Sequence, residues 1–134
     1  MKDILQDIDQ YNQRLFVSQV IALLGRKGVH LSKAMVNNYV RDKVLPPPVG
    51  KRYYTAKHLA ALVLIDYLKP LYEMDDIRAA LAPHMDEEGI PLDVYRQWVA
   101  LSQGALQAWG QAVAPLLDGA APLLLLHAAD VRRV

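Results

Sequence analysis

The chain has 134 residues, 53% of them hydrophobic, and a formal net charge of +1 at pH 7. This length and composition indicate a globular protein with one modest core and argue against a disordered chain. The absence of cysteine excludes disulfides, a thiol nucleophile and thiolate metal ligands, which fits a reducing compartment. The start MKDILQDIDQ is acidic where a secretory signal is basic and then apolar, so we expect a cytoplasmic protein.

The longest stretch without a charged residue spans residues 97–117. By its length alone it could cross a bilayer. It contains several glutamines, two glycines and a proline, which are unfavourable in the hydrocarbon layer. We therefore predict that it is not a membrane span.

Positive charge is concentrated in residues 26–57. This segment contains a single acidic residue, Asp42, whereas the remainder of the chain is acidic on balance. A basic block in an otherwise acidic chain is typical of a protein that binds a polyanion. The alternative, an ordinary solvated surface, normally mixes both signs of charge. The basic residues of the block are Arg26, Lys27, Lys33, Arg41, Lys43, Lys51, Arg52 and Lys57.

The first half of the chain predicts two helices. Apolar residues at spacings of three and four predict a helix over residues 4–24, which Gly25 ends. Ser32 is a suitable N-cap for a second helix from Lys33 to about Lys43, because its hydroxyl can accept a hydrogen bond from a free backbone N–H.

A change of structure is predicted after the second helix. The prolines at 46–48 prevent the helix from continuing, because proline lacks the backbone N–H. The turn glycine and β-favouring aromatics that follow predict a small two-stranded wing over residues 49–54.

Three further helices are predicted in the second half. Thr55 caps a helix that is apolar on nearly all sides and is therefore expected at the centre of the core. A short helix is expected from about Asp75 to Leu81, and an acidic loop follows it. Pro91 suits the first turn of a long helix that runs to about Leu117. A last short apolar helix is predicted over residues 122–131.

The second helix carries the candidate residues for reading DNA. Asparagine offers a donor and an acceptor that match the major-groove edge of adenine, which makes Asn37 and Asn38 candidates for base contact. Lys33 and Arg41 flank them and are candidates for phosphate contact. Adjacent helical residues point about 100° apart, so we expect one of the two asparagines to read a base. The alternative is that both are ordinary exposed polar residues.

The predicted wing supplies a second group of candidates, Lys51, Arg52 and a tyrosine. Side chains alternate along a strand, so Arg52 and Tyr54 share one face while Tyr53 points to the other. One tyrosine is expected to pack on the core, and the other can place its hydroxyl near a phosphate. The alternative, two tyrosines that only pack, stays open.

The chain resembles the MerR-type winged helix-turn-helix over about residues 17–82. The resemblance is carried by the stretch VRDKVLPPPVGKRYYTAKHLAALVLIDYLKPLYEMDDIRAAL. Val44-Leu45-Pro46 matches the stop of the recognition helix. Arg52, Tyr54 and Thr55 match the wing pattern. The chain is also similar to an uncharacterised set of small bacterial proteins with a MerR-like core. The resemblance implies DNA contact by Asn37, Asn38, Tyr39, Arg41, Arg52 and Tyr54.

The long helix near the C-terminus is the third feature. MerR-type proteins form an antiparallel dimer through such a helix, so the resemblance implies a homodimer. The alternative is that the apolar stripe of this helix closes the core of its own chain. The residues of the stripe are Trp98, Leu101, Ala105, Trp109, Ala112 and Leu116.

These features together predict a mostly helical (all-α) winged helix-turn-helix protein. Residues 1–84 are expected to form the DNA-binding domain, and residues 85–134 a C-terminal helical dimerisation segment packed on the same core.

Nothing in the sequence indicates catalysis. The four histidines lie in separate predicted elements, and no phosphate-binding glycine loop is present, so we expect no metal, cofactor or enzymatic activity. We expect a bacterial transcriptional regulator that binds double-stranded DNA as a homodimer. The alternative is a protein-interaction module that kept the winged-helix fold. A small-molecule effector is neither indicated nor excluded.

Overall fold

The structure is a computed structural model that describes residues 3–6 and 14–113, with only the helical backbone described over residues 104–113. This part of the chain is mostly helical, as predicted. One compact unit runs from Asp3 to Arg96, and a second unit begins at Gln97. The predicted helix over residues 122–131 lies outside the described residues. The helices are α1 (Val17–Arg26), α2 (Lys33–Arg41), α3 (Ala56–Leu68), α4 (Met74–Leu81), a 3-10 turn (Ala82–His84) and α5 (Leu92–Val113).

Helix α1 begins later than predicted. The expected helix over residues 4–24 is wrong at Leu15, whose backbone is extended and pairs with Tyr54 in an antiparallel bridge. The Leu15 N–H donates to the Tyr54 carbonyl at 2.8 Å, and the Tyr54 N–H donates to the Leu15 carbonyl at 2.7 Å. Gln19 then accepts a hydrogen bond from the Phe16 N–H through its Oε1, at 2.8 Å, and closes the start of α1.

Helix α2 begins as predicted and ends two residues early. The Ser32 hydroxyl oxygen accepts a hydrogen bond from the Met35 N–H at 3.0 Å. At the other end, Lys43 adopts a left-handed φ of 61°. The Val44 N–H donates to the Tyr39 carbonyl at 2.9 Å, and the Lys43 N–H to that of Val40 at 3.1 Å. This pair of bonds is a Schellman motif. The helix therefore ends before the prolines reach it.

The predicted two-stranded wing is not seen among the described residues. Residues 49–54 form a tight hairpin with a single antiparallel bridge between Val49 and Tyr53. The Val49 N–H donates to the Tyr53 carbonyl at 2.7 Å, and the Tyr53 N–H donates back at 3.0 Å. The three prolines before Val49 have no N–H to extend the ladder, so pairing stops after one step.

Helix α3 is the core of the unit from Asp3 to Arg96. Thr55 precedes it as predicted, and ten of its 13 residues are buried, which confirms the expectation of a central helix. The other helices of this unit each contribute buried apolar side chains. These include Val20 and Leu24 from α1, Val36 from α2, and Ile77 and Leu81 from α4.

Candidate nucleic-acid interface

One face of α2 is polar and exposed. Lys33, Asn37 and Arg41 follow one another at a spacing of four residues, which places them along one stripe of the helix. All three are exposed, and so is Asn38. The opposite face buries Val36. The structure therefore brings together the two predicted base-reading candidates and the two predicted phosphate-binding candidates of this helix.

The two cations of this stripe differ in their partners. The Arg41 Nε lies 3.1 Å from Asp42 Oδ1, and the two side chains are 70% and 42% exposed. The hydrogen bond from Arg41 lowers the pKa of the Asp42 carboxyl. Lys33 has no ion-pair partner within the described part of the chain. Exposed ion pairs contribute little to stability, so Arg41 can exchange Asp42 for a phosphate at low cost.

The hairpin presents two further cations at its turn. Gly50 and Lys51 both have left-handed φ values, 60° and 65°. The side chains of Lys51 and Arg52 are exposed. Neither forms an ion pair with any residue that the structure describes. Both predicted cations of the wing are thus available to a ligand.

Two predicted contact residues are buried instead. Tyr39 is 7% exposed and Tyr54 is 4% exposed, and burial raises the pKa of both phenols. The Tyr54 ring packs edge-on against His58, with 5.0 Å between the ring centroids. Their side chains serve the core, so we leave both tyrosines out of the candidate interface. The half-buried Tyr53 is the wing tyrosine on the outer side.

His58 fixes the hairpin to the helix that follows it. It is completely buried. Its Nδ1 accepts a hydrogen bond from the Thr55 N–H at 3.0 Å. With Nδ1 as acceptor, the proton of a neutral ring lies on Nε2, which donates to the Pro47 carbonyl at 3.0 Å. Burial lowers the pKa of the imidazole, so the ring is held in this neutral form.

The acidic loop before α5 does not pair with the candidate interface. Asp86 Oδ2 binds the Lys57 ammonium at 2.7 Å, and Asp86 Oδ1 accepts hydrogen bonds from the N–H groups of Glu88 and Gly89. Burial acts to raise the pKa of Asp86, but these bonds outweigh it and lower the pKa. Gly89 lies so close to the start of α3 that a Cβ would stand 2.3 Å from the Lys57 carbonyl oxygen. The loop is therefore fixed at Lys57.

A residue that the sequence reasoning missed lies beside the hairpin. The Arg14 guanidinium stands 5.8 Å from the centre of the Tyr53 ring. Phe16 packs on the same ring at 5.3 Å and stays 50% exposed. The pairing of Leu15 with Tyr54 brings this segment to the hairpin. No local pattern reveals a contact between residues so far apart in the sequence.

The predicted dimer stripe can be followed only in part. Trp98 is half-buried, and Leu101 is 74% exposed. Ala105, Trp109 and Ala112 lie within α5, but the structure describes only their backbone. Leu116 lies outside the described residues. The dimer interface therefore stays a prediction.

Two searches of the described residues are negative. No three histidine or acidic side chains come together as a possible metal site. None of the helices found there combines the length and the apolar character needed to cross a membrane.

Comparison with known proteins identifies the family of this chain. Neither the curated proteins nor the solved structures contain a match to this chain. Residues 5–97 match the family DUF1836, described as a domain of unknown function. The match includes α1 to α4, the hairpin and the start of α5, and it covers well over half of the sequence. The chain therefore belongs to the DUF1836 family.

Proposed function

We propose that the protein is a transcriptional regulator that binds double-stranded DNA as a homodimer, in the manner of a winged helix-turn-helix. Helix α2 would be the reading helix, and the hairpin over residues 49–54 would act as a short wing. The observation that carries the proposal is the exposed stripe of Lys33, Asn37 and Arg41 on α2.

The dimensions of α2 suit the major groove. Lys33 and Arg41 are eight residues apart, which corresponds to about 12 Å along a helix axis. The major groove is also about 12 Å wide, so the two cations can approach phosphates while Asn37, midway between them, faces the bases. The amide of Asn37 can donate to and accept from an adenine edge. Phosphate contacts would supply affinity, and this amide would supply a limited sequence preference.

The charges around the hairpin favour the same partner. Lys51 and Arg52 are exposed and have no acidic partner in the described part of the chain. The acidic loop before α5 is held at Lys57 through Asp86. An acidic loop folded over α2 and the hairpin would have argued for a protein partner, and no ion pair of that kind is present among the described residues.

A homodimer accounts for the exposed apolar side chain of α5. Leu101 is 74% exposed, although burial of a large aliphatic side chain is energetically favourable. A second copy of α5 is a suitable cover. A two-fold dimer would present two copies of α2 to a pseudo-palindromic site. Binding should then saturate at two chains per duplex.

The proposal is tested by selecting bound duplexes from a random DNA pool and measuring affinities by fluorescence anisotropy. Asn37→Ala should cost roughly 1–3 kcal/mol on the selected duplex and little on unrelated DNA. Arg52→Ala should weaken binding to both kinds of DNA alike, because a phosphate contact carries no sequence information. Lys69 is an exposed cation just after α3. Lys69→Ala is therefore the matched control and should bind like the unaltered chain.

Two outcomes would contradict the proposal. The first is the absence of any enriched sequence together with no measurable binding to duplex DNA. The second is an equal effect of Arg52→Ala and Lys69→Ala, which would mean that only net charge matters. The first outcome would favour the protein-interaction module, for which the exposed Leu101 would be the first residue to test. The second outcome would remove the hairpin from the DNA interface.

A further inference from the structure

We propose that Arg14, in the segment before α1, is an additional phosphate-binding group of the DNA interface. The DNA backbone would then be contacted by the hairpin and by the segment before α1, which are far apart in the sequence. This inference rests on the proposed function, because it assigns a new residue to the same interface.

The backbone pairing places Arg14 on the outer side of the hairpin. Leu15 and Tyr54 form an antiparallel bridge, so Phe16 stands opposite Tyr53. Side chains alternate along extended backbone, so Arg14 and Phe16 share the face of Tyr53, and Leu15 shares the opposite face with Tyr54. Tyr54 is buried, which makes the Tyr53 face the outer one. The two contacts to the Tyr53 ring, 5.8 Å from Arg14 and 5.3 Å from Phe16, agree with this register.

The chemistry of Arg14 suits phosphate binding. Its side chain is exposed and has no carboxylate partner among the residues that the structure describes. The distance of 5.8 Å from the Tyr53 ring is within the range of a cation–π contact, which places no acceptor oxygen on the guanidinium N–H groups. These N–H groups can then donate two parallel hydrogen bonds to a phosphate. The contact with Tyr53 thus restricts the Arg14 side chain and leaves its N–H donors available for a phosphate.

The surrounding charge selects a polyanion as the partner. Between Arg14 and Ile65 the sequence contains one acidic residue, Asp42, and that carboxylate is paired with Arg41. Lys51 and Arg52, the two cations before Tyr53 in the hairpin, are exposed like Arg14. An acidic phosphate backbone complements this arrangement, and the half-exposed Phe16 can pack against deoxyribose.

The experiment compares the salt dependence of DNA affinity in the unaltered chain, Arg14→Ala, Arg14→Lys and the control Lys69→Ala. Each phosphate contact contributes about −0.9 to the slope of log affinity against log salt. Arg14→Ala should make the slope shallower by about 0.9 for each bound chain, which reduces the affinity loss between 50 and 200 mM salt about 3.5-fold for one chain and about 12-fold for a dimer. Arg14→Lys keeps the charge and should restore most of the slope, and Lys69→Ala should leave it unchanged.

The outcomes separate this inference from the proposed function. Salt-dependent binding that Arg14→Ala leaves unaltered would overturn the assignment of Arg14 alone. Weaker binding with an unchanged slope would also overturn it, because Arg14 would then act only by packing on Tyr53. Equal Arg14 dependence for single-stranded nucleic acid would overturn the double-stranded partner. No binding by the unaltered chain would overturn both the inference and the proposed function.

Discussion

His58 is the residue on which the position of the hairpin most depends. Through Thr55 it holds the start of α3, and through Pro47 it holds the segment that leaves α2. The Thr55 bond needs the neutral ring, since a protonated Nδ1 would face the Thr55 N–H donor to donor, whereas the Nε2–H can donate to Pro47 in either protonation state. The position of the candidate DNA interface is therefore coupled to the protonation of a single buried side chain.

Stability should fall as the pH drops below about 6.5. The folded protein lowers the pKa of His58 from its usual 6.5, so the unfolded chain binds more protons between the two pKa values. The stabilisation is fully present above pH 6.5 and is lost as the pH falls towards the folded-state pKa. Urea unfolding of the unaltered chain and of His58→Gln between pH 5 and 8 measures this effect.

His58→Gln and a control variant, His84→Gln, should respond differently in that experiment. His58→Gln should lose roughly 1–3 kcal/mol at pH 7.5 and show a weaker pH dependence, because a buried hydrogen-bonded group is replaced. His84→Gln alters an exposed histidine and should follow the unaltered chain. Equal pH profiles for His58→Gln and the unaltered chain would show that His58 does not couple folding to protons.

Single residues also show where sequence reasoning stops. Alternation along the hairpin correctly indicates that Tyr53 and Tyr54 face opposite ways, but it does not say which faces the core. The pairing of Tyr54 with Leu15 settles the direction, and it joins residues that no local pattern connects. The position of Arg14 is hidden from the sequence for the same reason.

At the scale of elements, local signals predicted the helices whose ends are set by local chemistry. The Ser32 cap fixed the start of α2, Thr55 the start of α3, and Pro91 the start of α5. The start of α1 was missed because an apolar spacing continues through Leu15, which tertiary pairing holds extended. The end of α2 was misplaced because Lys43 occupies a left-handed position where a glycine usually stands, and no glycine marks it in the sequence.

Replacing Lys43 with glycine should stabilise the protein. A left-handed backbone costs an L-residue about 1–2 kcal/mol, whereas glycine adopts it freely. Glycine also makes the unfolded chain more flexible, which returns about 0.4–1 kcal/mol of that gain. We expect Lys43→Gly to raise the free energy of unfolding in urea by about 0.5–1 kcal/mol.

Lys69→Gly is the matched control for that substitution. Lys69 follows α3 with a right-handed φ of −54°, where glycine relieves no strain. This variant should be destabilised by up to about 1 kcal/mol. A loss of stability in Lys43→Gly similar to that in Lys69→Gly would contradict the role given to Lys43 in ending α2.

At the scale of the whole molecule, the sequence alone shows a basic block within an acidic chain. It does not show where the acidic groups lie in space. The structure supplies that information for the loop before α5, whose Asp86 binds Lys57, and for Asp42, which binds Arg41. Lys33, Lys51 and Arg52 are left without acidic partners among the described residues, which supports the proposed DNA binding.

The salt dependence of duplex binding by the unaltered chain tests the central claim most directly. Each phosphate contact contributes about −0.9 to the slope of log affinity against log salt. Contacts by Lys33, Arg41, Lys51 and Arg52 predict a slope of about −3.6 for one chain, the proposed Arg14 contact would extend it to about −4.5, and a dimer would double either value. A slope near zero, measured by fluorescence anisotropy between 50 and 200 mM salt, would contradict the proposal that this surface binds DNA.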